Sequence, residues 1–192
     1  MGIELAISEI EQQVGKPKYE AMVNTAAIIT KLLEENDDIQ PIVVGGLSVE
    51  IYTQREYATR DIDFVSDGYE KISVLLSSLG FVKDGRHFYH PKIEIAIEIP
   101  DSCLAGDYNK VVKVMLDEDK YVYLISIEDI ILDRLRAAVW WKSEQDSLWG
   151  FKLLAGNQDV VDFDYIDKNF ESEEEKIEFD TWLEALKEPS VL

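Results

Sequence analysis

Residues 41–65 read PIVVGGLSVEIYTQREYATRDIDFV, an apolar run that stops at two glycines. Separated from Gly46 by fourteen residues, Asp61 stands one residue apart from Asp63 inside a second apolar run. Interior glycine wastes chain entropy and adjacent carboxylates repel, so neither feature suits a plain structural element. The spacing predicts a short buried strand over PIVV, a turn at Gly45 and Gly46, a helix of one or two turns over LSVEIYTQ, and a second strand over RDIDFV. A chain that alternates this way must lay helices against a sheet, which sets the fold class as mixed α/β.

On a strand, alternate residues share a face, so Asp61 and Asp63 point the same way about 6.6–6.8 Å apart while Ile62 and Phe64 face the core. That separation lets both carboxylates converge on a pair of divalent ions. KIEIAIEIP alternates strictly over Ile93, Ile95, Ile97 and Ile99 and sends Glu94, Ala96 and Glu98 to the opposite face, so a neighbouring strand offers a third carboxylate. Of the two glutamates, Glu98 is the one near Pro100, where the strand ends. Gly45 and Gly46 leave backbone N–H groups open to an anionic phosphate, with no Cβ in the way. A nucleoside triphosphate with Mg2+ or Mn2+ would use all of these features.

Elsewhere the apolar spacing predicts helices from Ile3 to Ile10 and from Tyr19 to Leu33, a helix over YEKISVLLSSLG ending at Gly80, and a turn at DG within FVKDGRHFYH. A hairpin is expected over KVVKVMLDEDKYVYLI. From Ser126 the period changes from two to about 3.6, opening with Ser126 and Asp129 in a capping arrangement. The expected organisation is a core over residues 1–125 and a helical section over residues 126–192, the latter with helices at QDSLWGFKLLAG and EEEKIEFDTWLEALK separated by an acidic connection.

The formal charge is −20, from 19 basic and 39 acidic residues, which excludes a surface that grips long DNA or anionic membrane. One cysteine, Cys103, excludes an internal disulfide framework. No apolar run approaches roughly 18 residues and no signal-peptide pattern opens the chain, so a cytoplasmic protein is expected. His87 and His90 lack the setting of a zinc site and read as surface or half-buried residues. Trp140 and Trp141 read as packing residues.

The stretch VVGGLSVEIYTQREYATRDIDFV resembles the signature of the DNA polymerase β-type nucleotidyltransferase superfamily, and most of all its abortive-infection toxin- and antitoxin-like subgroup. The resemblance extends through IEIPDSCLAGD and ISIEDIILDRLRA and covers roughly residues 40–165. It implies a nucleotidyltransferase fold with Asp61, Asp63 and Glu98 as catalytic metal ligands. It also implies Gly45 and Gly46 as the phosphate turn, Thr59 and Arg60 beside the nucleotide, and Arg134 as a basic residue reaching the triphosphate. The implied activity is transfer of a nucleoside monophosphate from an NTP to a hydroxyl of a protein or small RNA, with a toxin or antitoxin as partner. The alternative is a non-enzymatic, antitoxin-like protein that keeps the fold.

Overall fold

Among the described residues, 1–187 of the computed structural model, seven strands form one mixed sheet in the order β3-β4-β5-β2-β1-β7-β6. The strands are β1 (Ile42–Val44), β2 (Asp61–Val65), β3 (Val82–Asp84), β4 (His87–His90), β5 (Ile95–Glu98), β6 (Val112–Asp117) and β7 (Lys120–Leu124). β1 runs antiparallel to β2 and parallel to β7; β2 runs parallel to β5; the remaining neighbours are hairpin-like antiparallel pairs. The helices interleaved with them are α1 (Ile3–Glu11), α2 (Lys18–Asp37), α3 (Gly45–Tyr52) and α4 (Tyr69–Ser78). The chain divides into two units at Ile125/Ser126, and all of these elements lie in the first.

Alternation decides which face of the sheet is covered. Ile62, Phe64, Phe88, Ile95 and Ile97 are fully buried and join Met22, Ile29, Leu33, Ile72 and Leu76 of α2 and α4 in one apolar core. Burial of each such side chain contributes about 1.5–3 kcal/mol. Glu34 of α2 ties that helix to β7, accepting hydrogen bonds from the hydroxyls of Tyr121 (2.5 Å) and Tyr123 (2.6 Å).

The second unit is helical: α5 (Ile127–Trp141), α6 (Glu144–Gly156), α7 (Phe163–Lys168) and α8 (Glu173–Ala185). Ser126 caps α5 as its spacing predicts, accepting from the Asp129 N–H at 3.0 Å and donating to the Asp129 carboxylate at 2.8 Å. Ser143, Asp162 and Ser172 cap the next three helices, each side chain accepting from the N–H three residues on. Among the described residues no helix is long and apolar enough to cross a membrane.

Four expectations need correction. The strand read over KIEIAIEIP is only Ile95–Glu98, because Glu94 sits in the left-handed region (φ 54°) and its N–H closes a turn onto the His90 carbonyl. The acidic connection after α6 contains a helix, α7, whose six residues are too few for a periodic pattern. Trp140 and Trp141 are 60% and 81% exposed, since they lie at the last turn of α5, past the stripe set by Ile127, Ile131, Leu135 and Ala138. His90, in contrast, is buried, edge-on to Phe81 with ring centroids 5.0 Å apart.

Candidate active site

The face of the sheet opposite the core collects polar groups. In the register, Asp61 lies opposite Ala96 and Asp63 opposite Glu98, while on the far side of β5 Tyr89 lies opposite Ala96 and His87 opposite Glu98. Neighbouring strands are ~4.8 Å apart, so Asp63 and Glu98 start from adjacent backbone positions. Glu94 is off the strand and in neither row.

The two glycines have distinct reasons. Gly45 has φ 58°, and a Cβ there would lie 2.2 Å from Oδ2 of Asp63. At Gly46 a Cβ would lie 2.5 Å from Oγ1 and 2.8 Å from Cβ of Thr59. Both glycines therefore make room for protein side chains. The Gly46 N–H also bonds to the Asp63 carboxylate, which takes up one of the amides expected to face phosphate. Thr59 in turn donates its hydroxyl to Asp61 Oδ1 at 2.8 Å, and its own N–H is held by the buried Glu50 of α3 at 3.2 Å. Burial pushes the Glu50 carboxyl up, and the Thr59 N–H and Arg55 partly offset this.

Burial first, then repulsion from Asp61 and Glu98, pushes the Asp63 carboxyl up to about 6, against smaller opposing effects of the Gly46 N–H and His87. Burial and two like charges disfavour its ionised form, which a nearby cation would favour. Glu98 is buried and already has partners: Oε1 lies 3.1 Å from Arg86 Nε, and Oε2 lies 3.3 Å from His87 Nδ1. The second approach is off the hydrogen-bond angle, so it is an electrostatic contact. Among the described residues no group of three or more His, Cys, Asp or Glu side chains is arranged to hold a metal ion. Asp61 and Asp63 fit such an ion by facing and charge; Glu98 fits once Arg86 and His87 let go of it.

Other basic groups border the carboxylates. Arg60 is exposed, and Lys18 of α2 lies near enough to feel Glu94, Arg60 and Asp61 through space, although burial is what chiefly lowers its pKa. The Lys18 ammonium also donates to the Glu94 carbonyl. Nothing in the sequence near Lys18 announces this, because it stands 43 positions before Asp61 and only the path of α2 brings it there. The places of Arg86 and His87 beside Glu98 are hidden for a similar reason: the DG turn is legible in the sequence, but not the strand that its hairpin joins.

Arg134 belongs to the second unit. Its guanidinium binds the Asp133 carboxylate and, at 2.7 Å, Asp146 Oδ1 of α6. Spacing within one helix could not reveal a partner on the next. Arg136 donates to the Asn169 carbonyl at 3.0 Å and pairs with Glu171 at 3.0 Å.

Comparison with known proteins places the arrangement in context. No curated protein matches the chain. Among solved structures it is similar to the antibiotic-resistance factor ANT(2'')-Ia, at 12% identity over 82% of this chain and 91% of that one, with a TM-score of 0.50. It is also similar to an antigenic nucleotidyltransferase-like protein from Paracoccidioides brasiliensis, at 14% identity over 93% and 88% of the two chains, with a TM-score of 0.59. At such identities these likenesses show the shared fold. Residues 20–180 match the family described as nucleotidyltransferase of unknown function, DUF6036, and the chain belongs to that family.

Proposed function

We propose that this protein transfers a nucleoside monophosphate from an NTP to a hydroxyl of a protein or small RNA, in the manner of the toxin- and antitoxin-like enzymes its sequence resembles. The observation that carries the reading is the Asp61–Asp63–Glu98 face. Asp63 lies opposite Glu98 in the register and two residues from Asp61, and burial together with repulsion from both pushes its carboxyl up to about 6, a charge that a bound divalent cation would stabilise. Mg2+ or Mn2+ held by Asp61, Asp63 and the released Glu98 would neutralise triphosphate charge and lower the pKa of the acceptor hydroxyl.

The acceptor oxygen attacks the α-phosphorus, the bond to the β-phosphate oxygen breaks, and pyrophosphate leaves. Glu98 takes the acceptor proton. Thr59 fixes Asp61 through the 2.8 Å hydrogen bond, and Gly45 and Gly46 hold the Asp63 side close against β1. The contribution of these residues is chiefly positioning and charge compensation. The net charge of −20 makes long DNA a poor acceptor.

The test is to incubate the protein with each α-labelled NTP, Mg2+ or Mn2+, and cell lysate, and to identify what becomes labelled. Asp61→Asn, Asp63→Asn and Glu98→Gln should each abolish labelling, whereas Glu94→Gln should leave it close to wild type. Labelling that survives Asp61→Asn, or that falls more with Glu94→Gln than with Glu98→Gln, removes this assignment.

A further inference from the structure

Glu98 is met at both oxygens by nitrogen groups, one from His87 at the start of β4 and one from Arg86 on the turn before it. The two partners differ in kind. His87 is a strand residue whose Nδ1 is buried, and its Nε2 accepts from Arg86 Nε at 3.4 Å. Arg86 lies on the turn between β3 and β4, next to Gly85 (φ 60°), and its side chain is 76% exposed although the Glu98 side chain it touches is only 11% exposed. An ion pair with one solvated partner is weak, on the order of 1 kcal/mol or less. A divalent cation beside the same carboxylate would outcompete it and repel the guanidinium. The displaced group remains within a side chain's reach of the site, where a phosphate oxygen is the strongest acceptor a guanidinium can find.

We propose that Arg86 is a positioning residue that exchanges partners, holding Glu98 while no cation is bound and moving to a phosphate oxygen of the nucleotide when the cation–triphosphate arrives. The exchange rests on the nucleotidyl-transfer reading above. It makes Glu98 available as a ligand and proton acceptor only when the triphosphate is present, and so couples assembly of the site to substrate.

The two roles have opposite signs, which a merely structural residue would not show. Mn2+ alone and Mn2+–tripolyphosphate, which carries no base, are titrated into the full chain and followed by calorimetry and by the Mn2+ spin-resonance signal. Arg86→Ala should bind Mn2+ alone ~2- to 5-fold tighter and Mn2+–tripolyphosphate ~2- to 5-fold weaker, the range expected for one exposed charge partner. Arg86→Lys should shift both less. In a Glu98→Gln background the gain in Mn2+ affinity should vanish. The exchange is overturned if both affinities move the same way, if neither moves, or if the tightening persists without the Glu98 carboxylate, which would make it simple repulsion. Asp61→Asn separates the two levels. If it abolishes Mn2+ binding while Arg86→Ala lacks the opposed shifts, only the exchange fails; if Mn2+ affinity is unaffected by Asp61→Asn, the metal-dependent reading fails with it.

Discussion

Gly45 and Gly46 show how two identical residues can do different work. Gly45→Ala puts an L residue at φ 58° and a methyl 2.2 Å from the Asp63 carboxylate. The backbone term costs about 1 kcal/mol, and displacing Asp63 should lower transfer on the order of 100-fold. Gly46→Ala meets Thr59 at its Cβ, a position that cannot swing aside, so Thr59→Gly in the same chain should restore melting temperature lost to Gly46→Ala. Strictly additive losses would mean that the contact does not explain the glycine. Asp63 sets a pH dependence. Its folded-state carboxyl titrates at about 6 against 3.8 for the ordinary group, so between those values the folded chain holds a proton that the unfolded chain lacks. Stability therefore falls as pH rises through that window, by at most about 3 kcal/mol for a shift of this size. In metal-free protein, Asp63→Asn should be more stable than wild type by a margin that grows between pH 4 and pH 6.5 and shrinks when Mn2+ is added to both. Urea midpoints measured across that range check it, and a margin independent of pH would refute the burial of a charged Asp63.

Elements differ in how much of their role can be read along one strand or helix. α5 opens where Ser126 and Asp129 say it should, because a cap is a contact between residues three apart. Its Arg134 illustrates the opposite case, since its partner Asp146 is supplied by α6. The pair is partly buried, with side-chain exposures of 19% and 22%. Arg134→Ala and Asp146→Asn should each cost about 1 kcal/mol of stability, and the double variant should cost less than their sum. With its guanidinium held inside the second unit, Arg134→Ala should change nucleotide affinity less than twofold. A tenfold loss of affinity with unchanged melting temperature would support the triphosphate role that the sequence resemblance implies. β5 is shorter than its alternation implies, because the isoleucine pattern runs on through a turn and the left-handed Glu94 breaks the ladder.

Charge acts on the chain as a unit. With 39 acidic residues against 19 basic, self-repulsion opposes folding at low ionic strength. Raising NaCl from about 0.02 M to about 0.5 M shortens the screening length from ~20 Å to ~4 Å, so melting temperature should rise. At matched ionic strength Mg2+ should add a further increment in wild type and none in Asp61→Asn; equal increments in both would make the effect screening alone. Within this acidic field Lys18, Arg60, Arg86 and His87 gather beside the three carboxylates, which is where a triphosphate would need them.

The division between what is local and what is distant in the chain explains how much was readable. Periods of two and 3.6, the paired glycines, D-I-D and the S-x-x-D cap depend on residues a few positions apart, so the sequence by itself determined the longer helices, the strands at PIVV and DIDFV, and the start of α5 at Ser126, but not the six-residue α7 or the true length of β5. The register of β2 against β5, which sets Asp63 beside Glu98, and that of β4 against β5, which brings His87 to the same carboxylate, depend on strands meeting across the sheet. Many registers satisfy the same alternation, and packing of Ile62, Phe88 and Ile97 against the core selects one of them. Folding in three dimensions thus decided that the third carboxylate comes with an arginine already attached.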